Sequence, residues 1–235
     1  MMTTTSTFRR SSSSTPLLTL RCSTRTEGDF HRERVPMAEL DARRRRFVDL
    51  PWTQLDEHHG VDVVVVDTPG AADGERGDVA ITSAVGAVLG CWVGDCAPVV
   101  LIGGQRQFAV VHAGWRGLAA GIVDVAIDAF DEPVERAILG PAIGACCYEF
   151  HAADAALVAA GVHASVDDVM ASTTWGTPSL DVAAAVAAAC AGWGLAVDVI
   201  GGCTGCAYHG FSHRMRGDAQ RHVVAVWQTD PLAGG

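Results

Sequence analysis

The stretch Gly90–Gly117, GCWVGDCAPVVLIGGQRQFAVVHAGWRG, decides how the chain folds. Its two apolar runs, Pro98–Ile102 and Phe108–Val111, read as adjacent buried strands. Cys96 precedes the first run. His112 ends the second, and a glycine-rich turn then opens a helix. Antiparallel pairing across Gly103–Gly104 would bring Cys96 and His112 to the same sheet edge. Folds that alternate helices and strands place their chemistry at strand ends. A thiol and an imidazole there are equipped to bind a metal or to act as nucleophile and base.

Beyond this stretch, Leu118, Ile122, Val125 and Phe130 recur at helical spacing and predict a helix over Gly114–Phe130. Arg116 lies in its first turn, where backbone N–H groups favour an anion. Arg136–Leu139 is the next strand, followed by the turn Gly140–Gly144 and a helix from Cys146 to about Ala160. Val166–Ser172 reads as a connection and alanine-rich Ser179–Trp193 as a helix. Ala196–Ile200 and His222–Trp227 are the last strands. Before the deciding stretch, strands are expected at Leu17–Ser23, Leu50–Leu55, Val63–Val66, Asp78–Thr82 and Val85–Val93, and a helix at Met37–Phe47 with Arg43–Arg46 mostly solvated. Residues 1–16 are polar and Ser/Thr-rich and read as a disordered tail; residues 229–235 form a second tail.

The 235 residues are 49% hydrophobic, enough for a substantial core. The net charge is −10, and all 17 basic residues are arginine. An acidic surface disfavours nucleic acid and anionic membranes, and no apolar run has the length of a membrane span. Eight cysteines lack the density of a disulfide scaffold and point to reduced thiols in the cytoplasm. The N-terminus lacks the apolar segment of a signal peptide. The pair Cys146-Cys147 is a poor chelate for one ion and reads as core packing or support for the glycine loop. Cys203-Thr204-Gly205-Cys206 has the spacing of half a zinc site or of a redox pair. No second CxxC completes it, so metal-free structural cysteines are the expectation.

Three strong ligands lie near predicted strands: His59, Cys96 and His112. Two imidazoles and one thiolate leave an open position on a tetrahedral zinc ion. His58 beside His59 leaves the register ambiguous. Ser23-Thr24-Arg25 can bind an anion or simply lead from strand to loop. Asp78 can orient a ligand or close a turn.

Several separated motifs together resemble the YfiH/laccase-domain family. Cys22-Ser23-Thr24-Arg25 looks like its opening F-S-T-R, and His59-Gly60 like its Q-x-H-G element. Residues 77–82 resemble A-D-A-L-V-T, and residues 94–99 resemble A-D-C-x-P-V. His112–Gly117 matches H-A-G-W-R-G in full. Residues 140–150 match the G-P-x-I-G…C-Y-E-V element, and Cys203-Thr204 with residues 211–214 resembles C-T…F-S-Y-R-R. The resemblance covers about Arg21–Trp227.

It implies an α/β fold over residues 17–228: a single domain of mixed β-sheet layers with flanking helices, similar to certain cysteine-dependent deamidating toxins. It also implies a metal-dependent purine nucleoside phosphorylase. Adenosine, inosine or methylthioadenosine would react with phosphate to give free base and ribose 1-phosphate, with adenosine deaminase as a second activity. By the same resemblance His59, Cys96 and His112 are the metal ligands, for zinc or else copper, and belong to the catalytic centre. Arg25 and Arg214 are the preferred groups for handling phosphate and are placed with the catalytic residues; Arg116, Ser23, Asp78 and Asp95 are further substrate or phosphate contacts. The partners are then a purine nucleoside and phosphate, and the choice between monomer and homodimer stays open. The alternatives are a Cys96–His112 hydrolase, a non-catalytic peptidoglycan-editing or binding protein, and a copper-dependent polyphenol oxidase. Nine histidines are too few for a true multicopper oxidase. The sequence departs from the family with His213 and Met215 where Tyr and Arg are usual, Gly94 for alanine, and an additional Cys206.

Overall fold

The computed structural model describes residues 4–8 and 16–230. The strands are β1 Thr4–Phe8, β2 Leu17–Cys22, β3 Trp52–Gln54, β4 Val63–Val65, β5 Val79–Thr82, β6 Val88–Val93, β7 Ala97–Gly103, β8 Phe108–Ala113, β9 Val134–Leu139, β10 Met170–Ser172, β11 Pro178–Leu180, β12 Val197–Val199 and β13 His222–Thr229. The helices are α1 Met37–Phe47, α2 Trp115–Ala119, α3 Ile122–Asp128, α4 Ala152–Gly161, α5 Val166–Val169, α6 Val182–Ala191 and α7 His213–Arg216.

The strands form two large sheets and a small hairpin. One sheet has the order β1-β2-β13-β6-β3 and the other β12-β9-β7-β8-β5-β4, while β10 pairs with β11. Both large sheets are mixed: β3 runs parallel to β6, and β4 to β5, among antiparallel neighbours. Alternation along the strands explains the layering. On β7, Val99 and Leu101 face the cluster that includes Leu118, Ile122, Val158 and Val186 from the helices. Val100 and Ile102 face the other way, into a core shared with Leu18, Leu20, Leu89 and Val224 of the first sheet. The outer side of that sheet, Val88, Val223 and Ala225, packs on Phe30, Leu40 and Phe47. The result is helices, sheet, sheet and helix, a mixed α/β domain as expected. Among the described residues no helix is long and apolar enough to cross a membrane.

The differences from the sequence expectations have local causes. Part of the expected disordered tail is a strand: β1 pairs antiparallel with β2 from Thr4↔Cys22 to Phe8↔Leu18. At the other end β13 continues to Thr229, one residue into the expected tail; residues 231–235 of that tail lie outside the described residues. The helix expected over Gly114–Phe130 breaks into α2 and α3 at Gly121, whose φ of 76° is left-handed. Cys146 does not start a helix; Ala145–Cys147 is a single 3-10 turn, and α4 starts after His151. Ser179 belongs to β11, and α6 starts after Asp181, whose side chain accepts the Ala184 N–H at 3.0 Å. The Val166–Ser172 connection contains α5 and β10. Arg44 in the arginine run is not solvated: it is buried against Gln54 and Asp73.

Candidate metal centre

The β7–β8 hairpin has the register the sequence requires. Pro98 faces His112 and Ala97 faces Ala113, so Cys96, just before β7, lies beside the end of β8. His59 arrives from the loop before β4 with a left-handed φ of 65°, a conformation unusual outside glycine. The carboxylate of Asp78 holds it there. Asp78 Oδ1 accepts the backbone N–H of His59 at 2.8 Å, and Oδ2 accepts that of Gly60 at 2.7 Å. Oδ1 also lies 2.8 Å from His112 Nδ1. One buried carboxylate thus fixes two of the three ligands, leaving Nε2 as the nitrogen of His112 for an ion.

The ligand atoms of His59, Cys96 and His112 lie within 4.8 Å of one another. Cys96 Sγ is 3.6 Å from His59 Nε2. A tetrahedral zinc ion with bonds of about 2.0–2.3 Å needs ligands roughly 3.4–3.8 Å apart. The borderline-soft N₂S donor set fits that ion, and Gly114 keeps the space open. A Cβ on Gly114 would come within 2.6 Å of His59 Cδ2 and 3.3 Å of Cys96 Sγ. His58 is not in the group; its Nε2 is paired with Asp62 at 2.8 Å. The fold therefore groups His59, and not His58, with Cys96 and His112.

The electrostatics suit ligation. Burial raises the Cys96 thiol, but His112 and His59 outweigh it and bring the pKa to about 6. Burial lowers His112, but the charges of Glu57 and Cys96 and the Asp78 bond raise it well above the ordinary value. Burial also works against the Asp78 carboxylate, which His112 and the backbone N–H groups nevertheless hold low.

The trio opens onto a cavity of about 430 Å³. Asp95, Arg116 and Arg214 of the expected substrate contacts line it. Asp95 spends both carboxylate oxygens on structure, accepting the Thr204 hydroxyl and the Arg214 backbone N–H, each at 2.6 Å. Asp78 is a positioning group behind the ligands and does not line the cavity. Ser23 and Arg25 do not line it either. Ser23 is buried and its Oγ accepts the Val223 N–H at 2.8 Å. Arg25 pairs with Asp218, donates to the Gly210 carbonyl at 3.0 Å and stacks over Phe211. These contacts tie loops together outside the cavity.

Glu57, Arg221 and Trp92 are among the cavity residues not singled out from the sequence. Glu57 sits two positions before His59, and its carboxyl lies 3.8 Å from His112 Nδ1 while accepting the Trp92 N–H at 3.1 Å. Complete burial pushes it up to about 8, against the opposing pull of His112. The available signal was an acid two positions before a candidate ligand histidine. Arg221 comes from the loop before β13, and only the pairing of β13 with β6 brings it here.

A family model described as multi-copper polyphenol oxidoreductase laccase matches residues 4–229. The chain belongs to that family. Within this laccase-domain family, it is 40% identical over 139 residues to a purine nucleoside phosphorylase of Streptomyces coelicolor, covering 56% of each chain. It is 34% identical over 98 residues to the purine nucleoside phosphorylase YfiH of Escherichia coli, covering 40% of each. The aligned stretches thus span about half of these relatives or less. The fold matches a Neisseria meningitidis protein with a TM-score of 0.79 at 20% identity, covering 97% of this chain and 99% of that one. It also matches YlmD of Geobacillus stearothermophilus with a TM-score of 0.72 at 21% identity, covering 91% and 92%.

Proposed function

We propose that the protein is a zinc-dependent purine nucleoside phosphorylase that also deaminates adenosine. The observation that carries this reading is the convergence of His59, Cys96 and His112 at the floor of a cavity walled by arginines and aromatic rings. The names of the relatives support the same reaction. A bound zinc ion would supply a Lewis-acidic open position facing the cavity.

The protein's own groups divide the remaining work. Trp92 and Tyr148 offer apolar surface for a purine. Arg116, Arg214 and Arg221 supply the positive charge that phosphate requires. Arg214 lies over the Tyr148 ring at 5.0 Å, which fixes cation and aromatic surface relative to each other. Cleavage of the glycosidic bond builds negative charge on the departing base, and these cations and a proton donor stabilise it. Glu57 is the carboxyl at the cavity wall beside His112 and takes the proton-handling role in both reactions. The eight free thiols suit a reducing compartment, and we place the protein in the cytoplasm.

The contact of Cys96 with His112 also favours a second reading, a thiol hydrolase using these two groups as nucleophile and base. Incubation of the zinc-loaded protein with adenosine or inosine separates the two. Phosphorolysis releases ribose 1-phosphate only when phosphate is present and ceases in His59→Ala. Turnover that is independent of phosphate and of metal, yet stopped by thiol alkylation, would replace it with the hydrolase.

A further inference from the structure

Nothing in the residue order joins the adjacent pair Cys146-Cys147 to Cys203 and Cys206, but the fold brings all four together. Their sulfurs lie within 4.8 Å of one another. We propose that they form a second, structural metal centre that binds zinc as a tetrathiolate.

The geometry suits it. Zinc–sulfur bonds of about 2.3 Å place the sulfurs of a tetrahedron roughly 3.8 Å apart. Cys146 Sγ and Cys206 Sγ are 3.6 Å apart. Cys203 Sγ accepts the Gly144 backbone N–H at 3.2 Å, an interaction that stabilises a ligating thiolate. The two contributing segments are compact turns. Ala145–Cys147 is the 3-10 turn after the glycine loop. In the other, the Cys203 carbonyl accepts N–H groups from Cys206, Ala207 and Tyr208.

Glycine lets the two turns approach. A Cβ on Gly205 would lie 2.8 Å from Cys147 Cβ and 2.9 Å from its sulfur. A Cβ on Gly144 would lie 3.2 Å from Cys203 Cβ and 3.3 Å from Cys146 Sγ.

The position gives the centre a purpose. Tyr148 follows Cys147 and lines the cavity, and Thr204 between Cys203 and Cys206 bonds Asp95, which holds Arg214. A tetrathiolate ion would brace this wall of the cavity without touching substrate. The inference is independent of the proposed reaction.

Metal counting by mass spectrometry on the full chain, purified under reducing conditions with zinc present, tests it. Two ions per chain are expected in the unaltered protein. One should remain in Cys206→Ser, one in His112→Ala, and none in the double variant. If Cys206→Ser does not fold, cobalt substitution of His112→Ala serves instead, and tetrathiolate charge-transfer bands are expected. A single ion in the unaltered protein, lost with His112, overturns the proposal. So do two ions retained in Cys206→Ser, a Cys146–Cys206 disulfide in place of metal, or cobalt-loaded His112→Ala without thiolate bands.

Discussion

Asp78→Asn removes one charge from a position outside the cavity lining, yet it should weaken the metal site strongly. The Asp78 side chain is fully buried and accepts from His112 Nδ1 and from the backbone N–H groups of His58, His59 and Gly60. Asparagine keeps one acceptor oxygen and turns the other position into a donor. Facing the new amide toward Gly60 sacrifices the fewest bonds, losing the one at 2.7 Å and opposing an N–H with an N–H. A hydrogen bond to a charged group contributes about 1.5–3 kcal/mol, so the folded protein should lose roughly 2–3 kcal/mol. His112 and the strained His59 then bond a neutral amide oxygen in place of a carboxylate, and such changes behind the ligands weaken metal binding by about 10–100-fold, or ~1.4–2.8 kcal/mol. Zinc affinity measured by chelator competition and stability measured by urea unfolding of the metal-free protein give the two numbers separately. Affinity within about twofold of the unaltered protein would refute the claim that Asp78 organises the ligands.

Gly114→Ala directs a methyl group at the His59 ring and should lower zinc affinity by about tenfold in the same competition assay. Gly161→Ala places Cβ 2.4 Å from the Leu118 and Ala119 carbonyl oxygens, so overpacking between α2 and α4 should cost about 1–3 kcal/mol in urea unfolding despite alanine's better helix propensity. Arg44→Met strips Asp73 and Gln54 of a buried partner and should cost about 3 kcal/mol in the same measurement; a loss below about 0.5 kcal/mol would return Arg44 to the solvated surface. His222 is fully buried, and burial lowers its pKa to about 3. The unfolded chain therefore binds the extra proton first as pH falls below about 6.5, and stability should drop with a slope approaching ~1.4 kcal/mol per pH unit. In His222→Asn this acid limb should flatten, as unfolding free energies between pH about 6 and 5 will show.

The central strands were legible in the sequence because buried β runs are short, apolar and bounded by turns; β1, β10 and β11, which lack such runs, were not. Pro98–Ile102 and Phe108–Val111 needed nothing else, and their pairing carried Cys96 and His112 to one edge. Helix limits were less legible: the apolar period runs through Gly121, and only its left-handed backbone breaks the helix. The metal trio emerged from ligand chemistry and from motifs matching the family. Its support did not, because Asp78 before a strand looks the same whether it closes a turn or holds His59. The surroundings of Arg25 were not legible, because Ser-Thr-Arg suits phosphate as well as it suits Asp218, nearly 200 residues away. Arg44 misled because an arginine run looks solvated until Asp73 lies beside it. The cysteine quartet was illegible for the same reason, since its halves meet only when the turn after β9 packs on the turn after β12.

The central claim is that His59, Cys96 and His112 hold one ion with a position open to the cavity. Anomalous diffraction at the zinc edge, from crystals of the zinc-loaded protein, tests it most directly. The expected result is a peak bonded by His59 Nε2, Cys96 Sγ and His112 Nε2, with its fourth side facing Arg214 and Tyr148. Fully loaded crystals with no peak among those three atoms, or with a fourth protein ligand closing the site, would contradict it.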